Sequence, residues 1–179
     1  MRTRSRAAAL ALAATASLLG ATGAAEAAPS APSAPSAAAA GLYRYVNVAT
    51  GKCLDVRGGS DANGTVVQQF SCKGVTNQLF AELTTQHATV NLVSRDSNKC
   101  VDLRDSSGAD GAGVQIWDCN GGWNQQWLFL AFPNGALQIQ NAASGKCLQD
   151  AGLPSGSRRE VQQMSCAALS TQAWRRVSA

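Results

Sequence analysis

The sequence lacks an apolar run of the roughly 20 residues that a membrane-spanning helix requires. It also lacks a strong excess of charge, because 15 Lys and Arg residues stand against 11 Asp and Glu residues, a formal net charge of +4. Three of the arginines and one glutamate precede residue 42, so residues 42–179 hold 12 basic and 10 acidic side chains and carry only +2. Non-specific nucleic-acid binding needs a strong basic field. The sequence therefore predicts neither a membrane span nor a nucleic-acid partner.

Catalytic groups are also scarce. The chain has one histidine, His87, and residues 42–179 contain two glutamates, Glu82 and Glu160, in different parts of the chain. Common glycosidases need two carboxyl groups roughly 5–10 Å apart. The Gly-x-Ser-x-Gly elbow of many hydrolases, a phosphate-binding loop and a metal-ligand cluster are all absent. We therefore expect no enzymatic activity, no metal and no cofactor, and we expect His87 to be a solvated connector residue.

The first 41 residues have the composition of a signal peptide followed by a linker. Three arginines among the first six residues precede an Ala- and Leu-rich run, and small residues then surround Glu26. This order is typical of a secretory signal peptide, here cleaved after Ala27. The next segment contains only Ala, Pro, Ser and a final Gly, which bury too little surface to fold. We predict a signal peptide over residues 1–27, a linker over 28–41, and secretion.

Six cysteines divide the remaining chain into three similar units. The two cysteines of each pair are 19 residues apart, and each pair recurs after 47 residues. A shift of 47 residues aligns 42–88, 89–135 and 136–179 without a gap. The columns identical in all three units are Lys52/Lys99/Lys146, Cys53/Cys100/Cys147, Val67/Val114/Val161, Gln68/Gln115/Gln162, Cys72/Cys119/Cys166 and Gln78/Gln125/Gln172. We interpret the chain as three copies of one 47-residue unit.

The repeat restricts the disulfide pairing. Six cysteines permit fifteen pairings in principle, but pairing within each unit satisfies all three copies in the same way. We therefore predict the disulfides Cys53–Cys72, Cys100–Cys119 and Cys147–Cys166. Each closes a loop of about 20 residues, which is worth roughly 3 kcal/mol on the chain-entropy model.

Short apolar segments separated by turn residues predict an all-β fold. In the second unit the candidate strands are 90–94, 100–103, 114–119 and 127–131, and no window sustains a helical period. The recurring apolar columns are Tyr45/Leu92/Ile139, Leu54/Val101/Leu148, Val67/Val114/Val161, Phe80/Trp127/Trp174 and Leu83/Leu130/Val177. One unit cannot enclose these side chains. We predict a β-trefoil, in which three four-stranded units form a six-stranded barrel closed by three hairpins; a three-bladed propeller is the alternative.

Recurring strings carry a family resemblance. The units open with KCLDV (52–56), KCVDL (99–103) and KCLQD (146–150), and they close with QLF (78–80), QQW (125–127) and QAW (172–174). Together these strings resemble the ricin-type lectin family, with its Q-x-W repeats and C-L-D openings. The resemblance covers essentially all of residues 42–179, and the second unit is similar to the carbohydrate-binding modules of secreted bacterial glycosidases.

The resemblance implies one shallow sugar site per unit, built from a carboxylate, an aromatic ring and an amide. The ring covers the apolar face of a sugar, the carboxylate accepts hydrogen bonds from adjacent hydroxyls, and the amide matches a further hydroxyl. The sets implied are Asp55, Phe70 and Asn77 in the first unit, and Asp102, Trp117 and Asn124 in the second. The third unit has Gln149, Met164 and Thr171 at these positions, so we expect it to be structural.

Several neighbouring residues have less certain roles. Trp127 and Trp174 are expected in the core, and the closing glutamines are expected to be buried and bonded to backbone. Trp123 is either a rim contact or an exposed loop residue. Lys73 and Asn120 directly follow the second cysteines and are further candidates for ligand contact.

The expected function is that of a secreted, non-catalytic lectin. It would bind galactose-, xylose- or arabinose-type sugars of glycans or polysaccharides at shallow sites in the first two units. One alternative is a trefoil that binds a protein through its loops, such as a protease inhibitor, which needs a protruding loop and no sugar-contact sets. Another is an accessory module that acts with a separate glycosidase.

Overall fold

The computed structural model describes residues 41–152 and 159–179, so the predicted signal peptide and all but the last linker residue lie outside the described residues. The described residues form β-strands and short 3₁₀ turns. The strands are β1 Leu42–Asn47, β2 Cys53–Val56, β3 Val67–Phe70, β4 Phe80–Thr84, β5 Val90–Ser94, β6 Cys100–Leu103, β7 Val114–Trp117, β8 Trp127–Ala131, β9 Leu137–Asn141, β10 Cys147–Asp150, β11 Arg159–Met164 and β12 Trp174–Ser178. In this part of the chain, no helix has the length and apolar character needed to cross a membrane.

Strand pairing confirms the predicted β-trefoil. Strands β1, β4, β5, β8, β9 and β12 pair in that order, and β12 pairs with β1, so the six strands form a closed ring. The remaining strands form three hairpins, β2–β3, β6–β7 and β10–β11. Each hairpin joins the ring through pairing of its first strand with the ring strand before it. All the pairings are antiparallel, as these short connections require.

The strand bounds of the second unit closely match those predicted from its sequence. Three of the four candidate strands have the predicted limits, but β7 ends at Trp117 rather than at residue 119. The backbone N–H of Asp118 instead donates to Oδ1 of Asn63, in a loop of the first unit, at 3.0 Å. This contact joins the residue after the strand to another unit, and β3 of the first unit ends at the equivalent residue, Phe70.

The core lies inside the ring and beneath the hairpins. Four of the five predicted apolar columns are fully buried there, including Trp127 and Trp174. The indole N–H of Trp127 donates to the carbonyl of Val101 at 3.0 Å, and that of Trp174 donates to the carbonyl of Leu148 at 3.2 Å. The two tryptophans therefore fill the core and also satisfy a backbone carbonyl of the neighbouring hairpin.

The prediction that the fifth column, Leu83/Leu130/Val177, belongs to the core is wrong. Leu83 packs on a separate small cluster around Ala81 and Val93, and Val177 is 42% exposed. Successive side chains on a strand point to opposite faces. Leu130 lies three residues after Trp127 on the same strand and therefore points away from the core, whereas Phe129 packs against it.

The three predicted disulfides, Cys53–Cys72, Cys100–Cys119 and Cys147–Cys166, are confirmed. Each ties the start of a hairpin to the segment just after it. Because Cys53 begins β2 and Cys72 follows β3, the bond holds both ends of one hairpin together, and the other two disulfides act in the same way.

Polar contacts also join neighbouring units. Asp118 of the second unit accepts hydrogen bonds from Lys99 and, at 2.8 Å, from Asn63 of the first unit. Asp110 of the second unit accepts from Lys146 at 2.7 Å and from the backbone N–H of Ser165 at 2.8 Å. These donors hold the pKa of both carboxyls below the usual range, with the lysine contributing most in each case. Both carboxylates therefore stay charged at neutral pH and bridge the units.

Candidate functional site

The six residues assigned to sugar binding lie in two separate surface clefts. Site 1, of about 210 Å³, is lined by Asp55, Gly58, Gln68, Phe70, Lys73, Val75 and Asn77. Site 2, of about 200 Å³, is lined by Asp102, Asp105, Ser106, Gln115, Trp117, Asn120 and Asn124. Each cleft thus brings together the complete carboxylate, ring and amide of its unit.

A buried carboxylate forms the floor of site 1. Asp55 lies on β2, where Leu54 points into the core and Asp55 points to the opposite face, towards the cleft. Its Oδ1 accepts a hydrogen bond from Gln68 at 2.8 Å, and its Oδ2 accepts from Asn77 and Gln78, each at 3.0 Å. Three neutral amides therefore fix the carboxylate, and Oδ1 keeps a lone pair that a sugar hydroxyl can use.

Site 2 repeats this arrangement with the corresponding residues. Oδ1 of Asp102 accepts from Gln115 at 3.0 Å, and Oδ2 accepts from Asn124 at 2.8 Å and from Gln125 at 3.0 Å. The two carboxylates are equally buried, each with 3% of its surface exposed. The two floors are thus the same in chemistry and in hydrogen-bond pattern.

Two roles in these floors were not predicted from the sequence. Gln68 and Gln115 belong to an identical column, but only the fold shows that their amides hold the carboxylates. Gln78 was expected to bond to backbone, and it does donate to the carbonyl of Ser71 at 3.0 Å, but the same N–H group also donates to Asp55. The identity of these columns across units was the available signal.

The asparagine of each site presents only its oxygen to a ligand. The amide nitrogen of Asn77 donates to Asp55 and to the carbonyl of Val56, at 3.0 and 2.9 Å. The amide nitrogen of Asn124 donates to Asp102 and to the carbonyl of Leu103 in the same way. Both N–H groups are therefore used inside the protein. The open amide oxygen and the carboxylate together form a pair of acceptors that suits two adjacent sugar hydroxyls.

The aromatic rings of the two sites differ in exposure. Trp117 is 40% exposed, while Ile116 before it is fully buried, as expected for opposite faces of a strand. Phe70 is half-buried, and the ammonium of Lys73 lies over its ring at 5.0 Å from the centroid. Site 2 thus offers an open ring face, whereas site 1 offers a ring that its own cation covers.

The third unit keeps the scaffold of the site without its chemistry. Oε1 of Gln149 accepts the hydrogen bond of Gln172 at 2.7 Å, where the first two units have a carboxylate. Gln172 also donates to the carbonyl of Ser165 at 2.9 Å, as Gln78 does in the first unit. The closing glutamine thus has the same structural contacts in all three units, even where the acid is absent.

The prediction that His87 is only a solvated connector is incomplete. Its ring is exposed, but it stacks on Trp123, with ring centroids 4.6 Å apart and planes inclined by 32°. Trp123 is 51% exposed and does not line site 2, so the loop interpretation fits it better than the rim contact. The stacking ties the connector between the first two units to the loop that carries Asn124.

The lack of a side chain at Gly122 leaves room for the amide oxygen of Asn124 in site 2. A Cβ at residue 122 would lie 2.5 Å from Oδ1 of Asn124 and 2.9 Å from Oδ1 of Asn120. The substitution Gly122→Ala should therefore displace the acceptor oxygen and weaken sugar binding at site 2 by about tenfold. Titration calorimetry would measure this, with Leu169→Ala at the equivalent position of the third unit as the control. Equal affinities for both variants would contradict the steric argument.

Comparison with known proteins agrees with this fold. Residues 42–174 match the family model of the ricin-type β-trefoil lectin domain. The designed threefold-symmetric protein ThreeFoil is 32% identical, with a TM-score of 0.73, over 76% of this chain and 97% of that chain. An exo-β-1,3-galactanase from Clostridium thermocellum is 28% identical, with a TM-score of 0.74, over 78% of this chain and 30% of the enzyme.

A more distant structural match shows the fold alone. The Rhizoctonia solani agglutinin is 23% identical, with a TM-score of 0.70, over 78% of this chain and 96% of that chain. A search of curated protein sequences gave no match.

Proposed function

The chain belongs to the ricin-type β-trefoil lectin family, and we propose that it is a secreted, non-catalytic lectin that binds sugars at sites 1 and 2. Family membership supports carbohydrate binding. The observation that carries the assignment of sites is the paired acceptor set in each cleft. A buried carboxylate and an amide oxygen lie beside an aromatic ring in both units, and the third unit has Gln149, Met164 and Thr171 at the equivalent positions.

The proposed ligand is a galactose- or xylose-type unit of a glycan or polysaccharide. Both sugars carry adjacent hydroxyls for the acceptor pair and a C–H face for the ring. The similarity to a module of an exo-β-1,3-galactanase favours galactose. It also favours a second candidate function, in which this chain directs a separate glycosidase to its polysaccharide. Two weak sites on one chain would increase affinity for a multivalent glycan if their spacing fits.

The proposal is tested by titrating the purified protein with galactose, xylo-oligosaccharides and arabinose. We expect binding at two sites for at least one of these sugars, because the two floors are chemically alike. Titration calorimetry gives the affinity and the number of sites. If no sugar on a broad glycan panel binds, the lectin proposal fails and a protein partner becomes the better explanation.

A further inference from the structure

The two sites share a floor but carry different charges at two rim positions. Gly58 of site 1 is replaced by Asp105 in site 2, and Lys73 of site 1 is replaced by Asn120 in site 2. The first position has a left-handed backbone in both units, with φ of 68° at Gly58 and 56° at Asp105. The backbone of this turn is therefore alike in the two units, and the two replacements change the charge of the rim.

The two clefts differ in the net charge of their lining residues. Site 1 has the carboxylate of Asp55 and the ammonium of Lys73, so its lining is formally neutral. Site 2 has the carboxylates of Asp102 and Asp105 and no lining cation, so its lining carries two negative charges. Lys73 contacts the Phe70 ring and forms no ion pair with the described residues, which leaves its ammonium available to a ligand.

Charged groups beside the clefts reduce this difference, but they do not line either cleft. Arg57 and Arg104 hold equivalent positions and donate to the equivalent glutamines, at 3.1 and 3.2 Å. Arg57 is also paired with Glu160 at 3.3 Å. Asp96 accepts a hydrogen bond from Thr76 and does not line site 1.

We propose that the two sites have different charge preferences: relative to neutral sugars, site 1 favours sugars that carry a carboxylate, whereas site 2 disfavours them and favours amino sugars. This inference rests on the proposed function, since it concerns the same two clefts. In site 1, the carboxylate of a hexuronate draws Lys73 away from the Phe70 ring and pairs with its ammonium, so the ring becomes free for the sugar. In site 2, Asp105 repels a carboxylate and attracts an ammonium. The ammonium of an amino sugar also makes a favourable cation–π contact with the open face of the Trp117 ring.

The expected effects are moderate because both rims are exposed. An exposed charge pair changes affinity by roughly two- to fivefold, and added salt reduces the effect. Site 1 has one attractive charge for an acidic sugar, and site 2 has one repulsive charge. The affinity for an acidic sugar, relative to that for the neutral sugar, should therefore be about tenfold higher at site 1 than at site 2.

The test uses ¹⁵N-labelled protein and three methyl glycosides of one configuration: galactoside, galacturonide and galactosaminide. The side-chain amide signals of Asn77 and Asn124 report binding at site 1 and site 2 separately. The quantity compared is the ratio of galacturonide to galactoside affinity at each site, at low and at high ionic strength. We expect this ratio to be about tenfold higher at site 1, and the difference to shrink with salt.

The chain itself supplies the substitutions that exchange the rims. Lys73→Asn gives site 1 the residue of site 2, and Asp105→Gly gives site 2 the residue of site 1 without straining the left-handed turn. We expect the ratio to fall about threefold at site 1 in the first variant and to rise about threefold at site 2 in the second. Equal ratios in the unmodified protein, or ratios that neither variant changes, overturn the inference while leaving neutral sugar binding intact. If no glycoside shifts either signal, the proposed function fails and the inference fails with it.

Discussion

Replacement of both Asp55 and Asp102 by alanine is expected to abolish sugar binding. Each carboxylate is the charged acceptor at the floor of its cleft, and it also anchors the asparagine whose oxygen is the second acceptor. One hydrogen bond to a charged group, at about 1.5–3 kcal/mol, and one to a neutral amide oxygen, at about 0.5–1.5 kcal/mol, together correspond to an affinity loss of about 30-fold or more per site. Titration calorimetry with the best sugar of the initial panel measures the loss.

The single variants separate the two sites. Asp55→Ala should leave site 2 intact, and Asp102→Ala should leave site 1 intact, so each should halve the number of bound sugars. The matched control is Gln149→Ala, because Gln149 holds the equivalent position in the third unit and also accepts the bond of a closing glutamine. That control should bind like the unmodified protein. Full binding by the double variant would contradict the assignment of the sites.

The loss must be distinguished from unfolding, because both substitutions remove a structural acceptor. In site 1 the amides of Gln68, Asn77 and Gln78 all donate to the carboxylate that is removed. Each buried donor left without a partner costs about 1–3 kcal/mol. Circular dichroism and denaturant unfolding of each variant therefore accompany the titration, and the binding result is taken at a temperature at which the variant is folded.

Trp127→Ala is expected to cause a large loss of stability. The side chain is fully buried in the core, and its indole N–H satisfies the carbonyl of Val101. Truncation of a buried Trp costs about 3–5 kcal/mol, a large part of the 5–15 kcal/mol that typically separates folded from unfolded chains. Guanidinium unfolding under oxidising conditions, followed by circular dichroism, gives the change in free energy.

Two further variants make this prediction specific. Trp127→Phe copies Phe80, the residue at the equivalent position of the first unit, and it should cost only about 1–3 kcal/mol because it mainly leaves the carbonyl of Val101 unpaired. Trp123→Ala removes an exposed indole and should cost less than about 1 kcal/mol. If Trp123→Ala destabilised the protein as much as Trp127→Ala does, the assignment of the core would be wrong.

Much of the fold was predictable because each short sequence pattern occurs in three copies. A single strand such as 100–103 is too short to assign with certainty by itself, but the same pattern in three copies gave the strands, the disulfides and the trefoil. The main error, the column of Leu83, arose because residues three apart were placed on one face of a strand. The end of β7 at Trp117 was also missed, although β3 and β11 end at the equivalent residues, Phe70 and Met164.

The sequence by itself determined the three-unit architecture, the disulfide pairing and the six residues that converge in two clefts. The units and the disulfides are local or repeated, so spacing and residue type were sufficient to predict them, whereas the six cleft residues followed from the resemblance to ricin-type lectins. Only the tertiary structure decided how the site residues are oriented. It showed that both N–H groups of Asn77 are used internally, that Lys73 covers the Phe70 ring, and that Asp105 faces site 2. Such details depend on which side chains meet across turns and strands, and that is set by packing in three dimensions rather than by position along the chain.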